Sequence, residues 1–396
     1  MWQGGNTADP NSALNYIRYP KAKIQNLGGV MSKDSLILGT RKGFIMMHRQ
    51  GGEWRVAHEA LPGVPISYAA KDPRSSTIWV CADHGHWGGK LYRSRDGGQT
   101  LEEVPAPAYP DGAMAYNVWE DGAAYQAKVT YLWTLTPGGE DQPGRLYIGT
   151  EPGGVFISDD DGDSFQLMEG LWNHHSRQKN WFGGGRDQAG ACSIVVDPRD
   201  SHHLYAGVSV GGVYESADGG ETWKGRNKGL KACYLPDAGA EYGHDPHCLV
   251  ASPSNPDVLW QQNHCGVFRS VDRGLTWTDV SQEGGPVYFG FPIVVDEHDE
   301  QTAWVVPGIS DDIRMAIDGA LCVGRSEDGG QTWQELRNGL PQSGCYDITF
   351  RHALDISGDT LVFGTTTGNL FISEDRGDSW QAINNYLPPI YSVRFA

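Results

Sequence analysis

The chain lacks any stretch approaching the ~18 consecutive apolar residues of a membrane-spanning helix, so no such span is expected. Positive charge is scarce: 31 Lys and Arg stand against 49 Asp and Glu, a formal net charge of −18. Nucleic-acid affinity comes mainly from cations that neutralise phosphates, and anionic membrane surfaces attract cations in the same way. Neither nucleic acid nor membrane is therefore an expected partner. Cysteine is thin on the ground: seven residues, an odd number, scattered and without a Cys-x-x-Cys pair. That usage reads as a reducing compartment. The first thirty residues are polar, contain two prolines and lack an apolar h-region, so they are not read as a secretory signal. Residues 1–30 are assigned to a polar N-terminal arm or extension and 31–396 to a single domain, with the cytoplasm as the expected location.

Glycine, by contrast, is plentiful at 53 residues, with 14 Trp and 17 Tyr beside it. No long polar tract accompanies the glycines, so they mark turns rather than disorder. Six copies of one pattern, Ser-x-Asp-x-Gly-x-(Thr/Ser)-aromatic, carry many of them. They begin at Ser94 (with Leu101 in the aromatic slot), Ser158, Ser216, Ser270, Ser326 and Ser373, spaced 64, 58, 54, 56 and 47 residues apart. One turn motif per unit at such a period marks a propeller or another repeat array. The Asp and Ser/Thr side chains of this Asp-box bond nearby backbone amides, its Gly tolerates the tight turn, and its aromatic plugs between units.

Short alternating runs bounded by Gly precede each box and read as strands, for example Gly212–Ser216 and Gly266–Ser270. A seventh unit with the same rhythm runs from Ser35 to Trp54, its box decayed to Arg49-Gln50-Gly51-Gly52-Glu53. Innermost strands are expected at Ile66–Ala70, Val129–Leu135, Cys192–Val196, His247–Ala251, Pro292–Val295 and Asp347–Phe350. The first unit has none upstream, but Ile390–Phe395 at the C-terminus supplies one. The predicted fold is all-β: a seven-bladed β-propeller with Asp-box turns, its ring closed by the C-terminal strand pairing with the first blade. Closure removes the free sheet edges.

Asp-boxes on a propeller resemble a large bacterial group with BNR repeats, labelled glycosyl hydrolase or sialidase-like. The likeness runs from about Ser35 to Phe395, through Leu38–Gly43, Gly149–Gly154, Glu241–His244, Gln262–Val267 and Phe289–Pro292. It implies a glycosyl hydrolase-like activity. Sialidases also carry an Arg-Ile-Pro motif near the start, whereas the corresponding region here is Thr40-Arg41-Lys42-Gly43, which argues against a true sialidase.

Propeller geometry puts the boxes, which join third to fourth strands, on one face. Second-to-third turns and the links into innermost strands meet on the other, around the channel mouth, where closed β-architectures favour ligand sites. Candidate acid/base carboxyls there are Glu151, Glu241, Asp311 and Asp312, since glycosidases work with two carboxyls about 5–10 Å apart. Arg41, Lys42, Trp181, Arg186, Tyr242 and Arg314 are the candidate ligand-binding residues. His84-x-His86, His244-x-x-His247 and His264 are candidate ligands of one divalent metal ion, the competing reading being imidazoles that bond water in a wet channel. Trp181, beside Gly183–Gly185, reads as a mobile rim, Trp133 as core, and His202-His203 as solvated surface.

The leading expectation is a hydrolase, glycosyl hydrolase-like, that binds a small polar or carbohydrate-related ligand at this mouth. The alternatives are a metal-dependent hydrolase or lyase acting on a non-sugar substrate through the histidines, and a non-catalytic scaffold for a protein partner.

Overall fold

The computed structural model describes residues 33–116, 122–183, 186–282 and 284–396. The arm expected over residues 1–30, and Gly184 and Gly185 of the expected rim, lie outside these. The described strands form seven four-stranded antiparallel sheets and one small hairpin, Met114–Tyr116 with Ala124–Gln126. Each sheet is a blade, and the blades are numbered here along the chain from Ser35.

Innermost strands are Ile66–Lys71 in blade 2, Tyr131–Pro137 in blade 3, Gly190–Asp197 in blade 4, Pro246–Ala251 in blade 5 and Gly290–Val295 in blade 6. Blade 1 takes its innermost strand from the far end of the chain: Leu36 pairs with Phe395, Ile37 with Arg394 and Leu38 with Val393. The ring closes as the sequence predicts. The decayed box of blade 1 is a two-residue hairpin turn in which Gly51 and Gly52 have φ of +60° and +87°. Two left-handed residues give a hairpin turn whose twist matches its strands.

Blade 7 departs from expectation. Its innermost ladder strand is Leu354–Ser357, paired with Thr360–Gly364, not Asp347–Phe350. The earlier segment makes isolated bonds, such as Thr366 N to Ile348 O at 2.9 Å, without forming a ladder. Both runs alternate, and the two-residue reversal at Gly358 selects the later one.

The six turns share one set of bonds. In blade 4, Ser216 Oγ donates to Asp218 Oδ1 (2.8 Å) and accepts from Gly220 N (2.8 Å). Asp218 in turn accepts from Thr222 N (2.9 Å) and Thr222 Oγ1 (2.5 Å). These donors stabilise the ionised carboxylate and lower the Asp218 pKa to about 2, the Thr222 hydroxyl contributing most. The turn aromatics pack between blades: Trp277 of blade 5 donates Nε1–H to Arg226 O of blade 4 (2.7 Å) and Trp333 of blade 6 to Val280 O of blade 5 (2.7 Å). The core is accordingly a series of wedges. Tyr205 and Val213 of blade 4 meet Leu259, Phe268 and Trp277 of blade 5 in one of them.

On this same face His203 is buried rather than solvated, because Glu215 Oε1 (2.8 Å) and Asp197 Oδ2 (3.2 Å) flank its ring. His202 beside it is exposed. Two cysteines also differ from expectation. Cys233 and Cys265 are joined as a disulfide with Cα atoms 6.3 Å apart, and the other five are buried and free. Their separation of 32 residues gave no sign of it, because one lies in the link into blade 5 and the other in that blade's second-to-third turn. Among the described residues no helix is long and apolar enough to cross a membrane.

Candidate functional site

Residues two apart in extended chain share a face, and residues three apart do not. The chain entering the innermost strand of blade 5 reads His244-Asp245-Pro246-His247, so Asp245 and His247 point the same way and His244 points away. The next turn of that blade, after Leu259–Asn263, brings His264 back over them, tied by its own N–H to Asp245 O (3.0 Å).

The result is a compact cluster at the channel mouth. Asp245 Oδ2 lies 3.3 Å from His247 Nε2 and 3.5 Å from His264 Nδ1. One ligand atom from each of the three falls within 4.8 Å of the others. Every member is also held from behind. His247 Nδ1 is 2.6 Å from Gly290 O; only a protonated nitrogen can bond a carbonyl, so Nδ1 carries the hydrogen and Nε2 faces the carboxylate. Asp245 Oδ1 accepts from Ser209 Oγ (2.7 Å) and Val210 N (3.2 Å), leaving Oδ2 to the two rings. His264 Nε2 is 3.9 Å from Asp311 Oδ2.

Charge follows from this packing. Burial opposes ionisation of Asp245, but His247, His264 and Arg351 outweigh it and hold the carboxyl well below its ordinary range. Burial pulls His247 below its usual value, only partly countered by Asp245. Burial also pulls on His264, yet Asp245 and Asp311 together leave it raised. An ionised carboxylate facing two imidazole nitrogens needs a proton or a metal cation between them, and the three donors suit either.

The structure brings together only part of the expected set. Of the five histidines, His247 and His264 join, with Asp245 as the member sequence reasoning missed. Its position two residues before His247 was the available signal. His244 turns into the loop behind, its Nε2 2.6 Å from Ala240 O, and burial lowers its pKa. His84 is occupied by Tyr92 OH (2.9 Å), and His86 is exposed on a 3-10 turn against Trp87. The four carboxyls do not converge either. Asp311 reaches His264, while Asp312 and Glu241 are exposed. Glu151 is buried in blade 3, where it accepts from Gln188 N (3.1 Å) and pairs with Arg186. Burial raises its carboxyl above the ordinary range in spite of that pairing.

Arg186 stacks 4.0 Å from the Tyr131 ring centroid. Arg314 donates Nε–H to Asp311 O (3.0 Å) and lies 5.6 Å from the Phe291 centroid. Arg41 and Lys42 are exposed on the blade 1 turn. Two expected ligand contacts are core residues instead. Trp181 is 5% exposed and donates Nε1–H to Tyr214 OH (2.6 Å), because Gly153 and Gly211 leave room for its ring. Tyr242 is 8% exposed and packs in the same cluster of blade 3 and 4 side chains. Trp133 is buried, as expected.

The mouth is rich in exposed aromatics. Trp87, Tyr125, Tyr234, Tyr288, Tyr346 and Tyr386 are the exposed aromatic side chains among the described residues. Every one stands in a second-to-third turn or a link into an innermost strand.

No protein-family model matches the chain. Part of it is similar to an oligoxyloglucan-reducing end-specific xyloglucanase of Emericella nidulans, 28% identical over 203 residues, which is 48% of this chain and 23% of the relative. The matched stretch thus spans about a quarter of that protein's length. Among solved structures, an ancestral GH74 enzyme aligns with a TM-score of 0.54 at 14% identity over 80% of this chain and 38% of that one. A putative 6-phosphogluconolactonase from Bacteroides uniformis aligns with a TM-score of 0.54 at 12% identity over 91% and 99%. At such identities the structural matches establish the propeller fold. The sequence similarity is to part of a xyloglucanase.

Proposed function

We propose that this chain is a hydrolase that takes a small polar or carbohydrate-related ligand at the channel mouth, with Asp245, His247 and His264 holding one divalent cation as its chemical centre. The observation that carries this reading is the convergence of one carboxylate oxygen and two ring nitrogens within 4.8 Å. Neutral imidazole and carboxylate are donors that zinc and neighbouring divalent ions accept. The partners behind them, Gly290 O, Ser209 Oγ, Val210 N and Asp311, are the kind that orient metal ligands. A divalent cation supplies a bound water of lowered pKa and polarises a ligand oxygen. Asp311, exposed beside His264, is suited to exchanging a proton with solvent or ligand.

A second reading, a glycosyl hydrolase working without a metal, draws support from the similarity to xyloglucanases and from the exposed aromatics. Aromatic faces suit the C–H surfaces of sugar rings, and Trp87 and Tyr346 are 76% and 67% exposed. Glu151, its pKa raised by burial, has the property a general acid needs.

Elemental analysis of protein equilibrated with zinc or manganese, then hydrolysis assays on ester, phosphoester and xyloglucan-derived substrates with and without chelator, tests both. One ion per chain, lost in His264→Ala, and chelator-sensitive hydrolysis are expected. Hydrolysis of xyloglucan oligosaccharides indifferent to chelator transfers the assignment to the second reading. Absence of both metal and hydrolysis removes both.

A further inference from the structure

Arg351 precedes the innermost ladder of blade 7, yet its side chain touches three other blades. Its guanidinium carbon lies 5.2 Å from the Trp133 ring centroid in blade 3 and 5.1 Å from that of Phe291 in blade 6. One terminal nitrogen is 3.5 Å from Ser209 Oγ in blade 4. A side chain that reaches across from blade 7 to blades 3, 4 and 6 lies over the channel axis. It is only partly buried as a residue, but its Nε is buried without a hydrogen-bond partner. Among the described residues it forms no ion pair with any carboxylate. An arginine in such surroundings ordinarily satisfies its donors with a carboxylate or phosphate fork.

Arg351 also abuts the cluster described above. Ser209, its contact in blade 4, is the residue that donates to Asp245 Oδ1 (2.7 Å). Phe291 contacts both: Arg351 lies 5.1 Å from its ring centroid, and the His247 ring stacks on it at 4.7 Å between centroids. With a divalent cation on the cluster, the single negative charge of Asp245 leaves cation and guanidinium in excess. Asp311 at the exposed edge does not cancel that excess. A ligand that spans the two would restore neutrality by bringing negative charge of its own.

We infer that Arg351 is a ligand-anchoring residue and that the ligand of this mouth carries a carboxylate. Rings stand beside the guanidinium at Trp133 and Phe291, and among the described residues its N–H donors are left without a carboxylate. A carboxylate is planar and meets a guanidinium with two parallel hydrogen bonds. The ligand's reacting part then lies toward Asp245, His247 and His264. The inference rests on the mouth being the ligand site; the charge excess needs the cation, whereas the unpartnered Nε of Arg351 does not.

The test uses paired probes that differ in the charged group alone: D-glucuronate and D-glucose, with inorganic phosphate as a third arm. Each is titrated into metal-free and zinc-equilibrated protein by calorimetry. Glucuronate should bind and glucose should not, and Arg351→Gln should weaken glucuronate at least about tenfold while metal content is unchanged. Arg351→Lys, which keeps the charge but loses the fork, should recover part of the affinity. Equal responses to glucuronate and glucose in the native protein overturn the inference, without recourse to any variant. So does a folded Arg351→Gln protein that binds glucuronate normally, and so does phosphate binding in preference to glucuronate. Glucuronate binding without any bound metal sinks the cation reading alone; bound metal without glucuronate binding sinks this one alone.

Discussion

On the face of the propeller that carries the repeated turns, Trp223, Trp277, Trp333 and Trp380 are all 9% exposed or less. On the opposite face Trp87, Tyr288, Tyr346 and Tyr386 are 45–97% exposed. Aromatic side chains are abundant on both, but one set is consumed in packing and the other is left to solvent. The difference begins in the connections. Third-to-fourth turns are short and closed by their own Ser, Asp and Thr bonds, and the tryptophans that follow them are all buried. Links into innermost strands vary in length and carry unrelated residues. A ring built in this way can change what it displays at the mouth without disturbing what holds its blades together.

The sharpest way to break that comparison is to remove a packing aromatic and look for an effect at the mouth. Trp277→Ala should cost about 3–5 kcal/mol in urea unfolding, while the protein that remains folded keeps its full metal content. Loss of metal from folded Trp277→Ala would show that the faces are coupled. Next in size is His203→Ala, at about 1–3 kcal/mol, since Glu215 and Asp197 keep only their arginine partners Arg226 and Arg199.

The sign of its pH dependence follows from the two kinds of group. Glu215 and Asp197 raise the His203 pKa above 6.5 despite burial, so its contribution is complete below pH 6.5 and fades as pH rises through the folded value. Asp197, lowered from 3.8 to about 2 against the pull of burial by Arg199 and His203, contributes above pH 3.8 and is lost as pH falls toward 2. The stability difference between native and His203→Ala protein, followed by denaturant titration across pH, should therefore be greatest between these limits. A difference that grows above pH 7 would contradict the assignment.

Ser216→Ala should cost about 1 kcal/mol through its bond to Gly220 N, read as a shift in the thermal midpoint. Smallest in stability is His264→Ala, within about 1 kcal/mol because its ring is partly exposed, yet it should abolish metal uptake. A large destabilisation by His264→Ala would mark the cluster as structural and narrow the contrast between the faces.

Blade number and ring closure were legible in the sequence because both rest on local alternation and on glycine turns. Ile390–Phe395 alternates as a strand and has no other partner to complete. Blade 7 was harder: two alternating runs stand within eleven residues, and the tight reversal at Gly358 that pairs Leu354–Ser357 with Thr360–Gly364 chooses the later one over Asp347–Phe350. The mouth was legible as a face and not as a site. Which histidines meet depends on how each turn rotates, so His84 and His86 were grouped with residues they do not reach. Asp245 belongs to no motif, although it stands two residues before His247 and shares its cluster. Trp181 reads as rim from its glycine-rich neighbours, but the gap at Gly153 and Gly211 that receives it belongs to other strands. Arg351 has no sequence signature, since what distinguishes it is the distance it crosses.

The pairing of Leu36 with Phe395 joins positions more than three hundred residues apart along the chain. The first blade to be synthesised therefore waits for the last strand of the ring, exposing the unpaired edge of Ser35–Thr40 until then. Contacts of that separation are slow to form, and an open strand edge invites other chains. The interval between the making of blade 1 and the arrival of Ile390–Phe395 is thus the period in which this protein is most exposed to misassembly. A permuted chain that begins at Ile390 and runs on into Ser35 would shorten it, with the folded ring unchanged.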